Sequence, residues 1–241
     1  MFWRKFKLDW SYAVGELLIV VIGVLIALAI DQWNDDRLER LEEVDAVARI
    51  LTDVQTDLQD FDFRLKSVDA KEESLLRVKA FLAGGARIDP AAFLRDIAGG
   101  ADWGWNQGLA RRSTYDNLLE SGRLGIIADP EIRSQISDYY RYYQDSHKRI
   151  DERETDYPAL SYQLVPRTRT SQNEGVVDEI ESGLSDTQLN ELVAMVQASA
   201  ISDHVTAELN LARFILQIEL DLQGRAVSLI SLLEEYQARI Q

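Results

Sequence analysis

The stretch YAVGELLIVVIGVLIALAI, residues 12–30, decides how the rest of the chain is read. Glu16 is its only charge, and the strictly apolar run from Leu17 to Ile30 is 14 residues long. That run alone would suit a buried core helix. With Tyr12–Glu16 it reaches the roughly 20 residues that a helix needs to cross a bilayer. Trp10 and Tyr12 flank one end and Trp33 the other, as in an aromatic belt at the two interfaces. Polar sequence begins abruptly at Asp31. Ala27-Leu28-Ala29 has the small-x-small form of a leader cleavage site. No polar spacer separates it from the apolar run, and a glutamate within residues 12–30 is unusual for a leader. Residues 12–30 are therefore expected to be a retained transmembrane helix, with 1–11 as a short cytoplasmic tail.

No glycine or proline occurs between Gly23 and Gly84, so the spanning helix is expected to run on as a long helix over 31–83. Leu41, Val44, Ala48, Leu51, Val54, Leu58, Phe61, Leu65 and Val68 recur at steps of three and four, and Leu75, Val78 and Leu82 continue them. This is an amphipathic stripe, although a bend near Phe61–Ala70 is left open by the sequence. Short helices and a glycine- and tryptophan-rich loop are expected over 84–128. Within that stretch Asp89-Pro90 starts one helix, and Ser113 opens another that is closed by Gly122. Asp129-Pro130 caps and starts a helix over 130–157, ended by Pro158. Residues 158–184 read as a surface connection. Ser185 with Gln188 forms a capping box, and helix dominates over 185–240 with a heptad-like seam at Leu211, Ile215, Ile218, Leu222, Leu229, Leu233 and Tyr236. The expected class is all-α: a membrane helix continuing into a long helix, with an antiparallel helical bundle at 31–241.

Charge limits the function. Only three of the 26 basic and two of the 41 acidic side chains fall in residues 1–30, so the rest of the chain, with 23 basic against 39 acidic, carries −16 and the whole chain −15. Phosphate backbones repel such a polyanion, and nucleic-acid binding is disfavoured. There is no cysteine, which excludes disulfides, thiolate catalysis and cysteine zinc sites. Lysine and arginine tie across the span, with Arg4, Lys5 and Lys7 before it and Arg37, Arg40 and Arg49 after it. The compact N-terminal cluster favours an N-terminus in the cytoplasm and a domain in the periplasm of a bacterial inner membrane.

On a helical wheel Glu16, Val20, Gly23, Ala27 and Asn34 fall within roughly 40° of one line, with Asp31 beside it. Gly23-xxx-Ala27 permits close backbone approach. This face reads as a packing surface between membrane helices or, alternatively, as the lining of a small ion channel or transport subunit with Glu16 at its mouth. Asp102, Trp103, Trp105 and Asn106 form a second candidate, a loop that either cradles a ligand or plugs the bundle end. His147 beside Asp145, and His204 beside Asp203, read as surface contacts. No di-iron, H-E-x-x-H, P-loop or nucleophile-elbow pattern is present. No catalytic residue, metal ligand or cofactor is assigned.

The residues Tyr12-Ala13-x-Gly15-Glu16, Val20-Val21-Ile22-Gly23-x-Leu25-Ile26-Ala27-Leu28 and Asp31-x-Trp33-Asn34 resemble the opening of an uncharacterised bacterial family of membrane-anchored proteins, a domain of unknown function. Thr114-Tyr115-x-x-Leu118-x-x-Ser121-Gly122, with Asp129 and Tyr139-Tyr140, is similar to that family's second block. The resemblance implies a single-pass protein with a helical domain and no assigned activity. From these observations the expected function is that of a non-enzymatic, homo-oligomeric anchored protein. Its expected partners are membrane lipid through residues 12–30, copies of itself and a partner membrane protein. The extracytoplasmic bundle binds a partner or a small ligand as a scaffold or sensor. An enzyme is the third and weakest reading.

Overall fold

The computed structural model describes residues 10–85, 89–101, 110–165 and 184–241. It is all-α. Helix α1 runs Trp10–Leu82, α2 Pro90–Ala101, α3 Ser113–Glu120, α4 Pro130–Asp151, α5 Tyr157–Leu164, α6 Asp186–Ala198 and α7 Ile201–Ile240, with a short 3₁₀ turn at Leu124–Ile126. Helix α1 is unbroken over that whole range. At 1.5 Å per residue its 73 residues span about 110 Å. It ends where Gly84 takes a positive φ of 76°, a conformation that costs glycine nothing.

The expected caps form. Asp129 accepts from the N–H groups of Glu131 and Ile132, and Ser185 and Gln188 complete a reciprocal capping box. Gly122 has φ 68° beyond the end of α3. Two boundaries differ from expectation. The helix expected over 130–157 stops at Asp151, and Pro158 opens α5 instead of closing α4. Proline is tolerated in the first helical turn because its missing N–H would have had no partner there. The expected connection therefore begins with two ordered turns, whose Tyr157 and Ser161 are buried.

Helix α1 pairs antiparallel with α7, and the seam follows a strict seven-residue repeat. On α1 one line is Val47, Val54, Phe61, Val68 and Leu75, all buried. The second line is Glu43, Ile50, Asp57, Arg64, Lys71 and Val78, also buried, and four of its six members are ionisable. On α7 the lines are Ile201, Glu208, Ile215, Leu222, Leu229 and Tyr236, and Val205, Ala212, Glu219, Ala226 and Leu233. Two lines spaced alternately by three and four residues are the a and d positions of a coiled coil. Every residue of the expected α7 seam is buried. The expected α1 stripe is only partly right. Leu51, Val54, Phe61, Val68, Leu75 and Val78 are buried, Val44, Ala48, Leu58, Leu65 and Leu82 are half-buried, and Leu41 is 56% exposed. Apolar spacing alone strays to one side, with Val44, Leu58 and Leu65 about 80° from a seam whose second line carries charge.

Two apolar clusters result. One joins α1 from Val47 to Val68 with α3, α4 and the C-terminal part of α7. The other joins Leu75 and Val78 with α2, α5, α6 and the start of α7. By contrast, no residue from Glu16 to Glu42 is buried. The N-terminal part of α1 is one helix long and apolar enough to cross a membrane, and none of that apolar segment is covered by the rest of the chain.

Candidate functional site

Each charged residue on the second α1 line meets a different part of the bundle. Glu43 Oε1 accepts from the Ala128 N–H at 2.6 Å and from the Tyr236 hydroxyl. Asp57 Oδ1 accepts from the Arg111 N–H at 3.0 Å and Nη1 at 3.4 Å, while the Tyr139 hydroxyl donates to Oδ2 at 3.3 Å. Arg64 Nε donates to Glu219 Oε2 at 2.9 Å. Lys71 pairs with Glu208, which also accepts from the Thr155 hydroxyl. Buried charge is tolerated only when paired and hydrogen-bonded. Here the partners sit on the α3–α4 connection, the approach to α3, α7 and the α4–α5 turn, so a slip of α1 by one heptad in either direction sets an apolar residue or the wrong charge at two or more of the four places.

Around Arg64 the rings are layered. Its guanidinium carbon lies 4.3 Å from the Phe61 ring centroid, and Tyr143 and His147 stack at 4.4 Å with planes 5° apart. Burial pushes the Glu219 and Asp57 carboxyls above their usual range, against the pull of Arg64 and Arg111 respectively. Burial, reinforced by Arg64, pushes His147 down, against its hydrogen bond to the Tyr143 carbonyl at 3.0 Å. The neutral ring therefore donates from Nδ1. This corrects the surface reading of His147, which is 6% exposed. His204 is partly covered, with Nδ1 3.9 Å from Asp156 and not on Asp203.

Beside this layer lies a cleft of about 1030 Å³. Its walls come from α1 (Asp53), the approach to α3 (Arg111, Arg112) and α4 (Tyr140, Tyr143, His147). Arg112 forks onto Asp116 at 2.7–2.9 Å and reaches Gln144 at 3.1 Å, and Arg111 holds Asp60 at 2.6 Å. Both arginines are thus neutralised locally. Asp53 Oδ2 is closed off from solvent and accepts no hydrogen bond among the described residues. Tyr140 stacks on Tyr115 at 4.6 Å and donates to the Arg111 carbonyl at 3.1 Å, which fixes the wall. The cleft is mixed in charge, aromatic on one side, and built directly on α1.

Glu16, Val20, Gly23, Ala27, Asp31 and Asn34 share α1 and are exposed, apart from the bundle. Asp102, Trp103, Trp105 and Asn106 lie outside the described residues. Sequence reasoning missed the cleft and the charged seam. The seam had a signal: Glu43, Asp57, Arg64 and Lys71 are separated by multiples of seven. Among the described residues no group of three or more histidine or carboxylate side chains is placed to hold a metal ion. Comparison of the chain with family models, curated proteins and solved structures yields no match.

Proposed function

We propose that the chain is a single-pass, homo-oligomeric protein of a bacterial inner membrane, whose helical domain lies on the periplasmic side and acts as a sensor or scaffold. In this reading the domain is not an enzyme, and it binds a small polar ligand or a partner segment in the cleft between α1, α3 and α4. The observation that carries it is the continuity of α1: the backbone of the exposed apolar segment is also the backbone of Asp53 and Asp57. Occupation of the cleft therefore acts directly on the helix that enters the lipid. The three ion pairs along the seam, with Glu43 hydrogen-bonded to Ala128 and Tyr236, support a bundle that keeps one register while it does so.

The test is fractionation followed by protease. Membranes washed with alkaline carbonate retain the chain, and protease added to intact spheroplasts removes the domain. Recovery of the intact chain in the wash would overturn the anchor, and full protection in spheroplasts would overturn the orientation.

A further inference from the structure

The anchor-facing half of α1 carries a seam of its own, and it points away from the bundle. At 100° per residue, Glu16, Val20, Gly23, Ala27, Asn34, Leu38 and Leu41 lie within about 30° of one line. The line through Glu43, Val47, Ile50 and Val54, which packs on α7, lies about 180° from it. Leu38 and Leu41 are 51% and 56% exposed, and every residue from Asp31 to Glu42 is exposed. A stretch of helix without tertiary packing is marginal in water, more so when it presents large apolar side chains.

We infer that this face is covered by a second copy of the chain, forming a parallel helix pair from Glu16 to Leu41; the inference rests on the membrane-anchored, homo-oligomeric reading above. Three features select a second copy over another occupant. Copies inserted in one membrane share orientation and depth, so a parallel pair sets each seam residue against itself. The polar members, Glu16 and Asn34, are 18 residues or about 27 Å apart. A second copy gives Asn34 a partner that both donates and accepts, and a self-paired asparagine is a known register-setting device. Continuing the same steps beyond Leu41 leads to Asp45, Thr52, Gln59, Asp62 and Asp69, all exposed. Self-pairing there sets like charges together, so the pair ends at Leu41 and the two bundles diverge. Because the pairing face is opposite the α7 seam, it forms without opening the bundle.

The chain has no cysteine, so single substitutions across 31–42 report the face directly. Full-length variants in native membranes are oxidised, and the disulfide-linked dimer is read on a gel, with maleimide labelling to confirm that each thiol reacts. The expected result is a period of three to four, with maxima at Asn34→Cys, Leu38→Cys and Leu41→Cys and minima at Asp36→Cys and Arg40→Cys. Maxima at 36 and 40, or a flat profile, would overturn this face while leaving self-association in place. No linked dimer at any reactive position would overturn this inference, and monomer alone in native mass spectrometry of the same variants would overturn the oligomeric reading as well.

Discussion

Arg64 and Glu219 meet across the seam of α1 and α7 at 2.9 Å, with side chains only 5% and 0% exposed. Neither partner has bulk water to fall back on. Removing one leaves the other buried and uncompensated, which costs about 3–5 kcal/mol. Glu219→Leu and Arg64→Met are each expected to lower stability by that much in chemical denaturation of the detergent-solubilised protein. The double variant is expected to recover to near wild type, because an apolar pair of similar volume avoids desolvation. Additive losses would show that the two do not act as a pair.

Lys71 and Glu208 supply a test of register. Lys71→Glu sets two carboxylates together in the seam and is expected to abolish folding of the bundle. Adding Glu208→Lys restores the pair, and with it the helical circular-dichroism signal and protease resistance. If the reversal fails to rescue, the surroundings of the pair discriminate sign, with Thr155, which donates to Glu208, as the first suspect.

Acidification acts on His147 and the carboxyls with opposite signs. The folded-state pKa of His147 lies below its ordinary value of 6.5. Its contribution to stability is complete above 6.5 and is lost as pH falls from there through the folded value. His147→Phe keeps a ring against Tyr143 and removes that loss, so thermal melts from pH 7.5 downward are expected to show a flatter profile than wild type. Asp57 and Glu219 have raised values. Their ionised forms cost stability above the folded pKa, and that cost is relieved as pH falls toward their ordinary 3.8 and 4.5. A wild-type profile already flat near pH 6 would remove the assignment of His147 as a buried neutral ring.

Three glycines separate packing from backbone. A Cβ on Gly100 would lie 2.7 Å from Leu75 Cδ2 and 2.8 Å from the Tyr157 hydroxyl. Gly100→Ala is expected to cost about 1–3 kcal/mol through overpacking. A Cβ on Gly224, inside α7, meets nothing within 4 Å. Gly224→Ala is expected to raise stability by about 0.5–1 kcal/mol. At Gly122, open space is no help, because its φ of 68° suits an alanine poorly. Melting temperatures of the three variants check the order: Gly224→Ala above wild type, the other two below.

What could be read in advance depended on how local the governing physics is. The caps at Asp129 and Ser185 are contacts within one turn, and short-range residue types announce them. The run without glycine or proline after Gly23 likewise announced α1, and spacing of three and four announced the α7 seam. Leu41 failed because periodicity says that a face is apolar and not what covers it; it belongs to the line of Asn34 and Leu38. Arg64 and Lys71 share the seven-residue spacing of the seam, but that spacing alone does not bury them, since burial of a charge is decided by a partner more than 130 residues away in the chain. Pro158 was misread because it closes one helix and opens another with equal ease. The cleft is a product of the meeting of α1, α3 and α4, and no single segment carries its signature.

Because α1 is one continuous helix from its apolar N-terminal segment to Leu82, it can act as a shaft. A twist applied at one end arrives at the other as rotation of the ladder of charges at Glu43, Asp57, Arg64 and Lys71. Each rung is gripped by a different neighbour, so a few degrees of torque strain four contacts at once instead of being absorbed in a flexible neck.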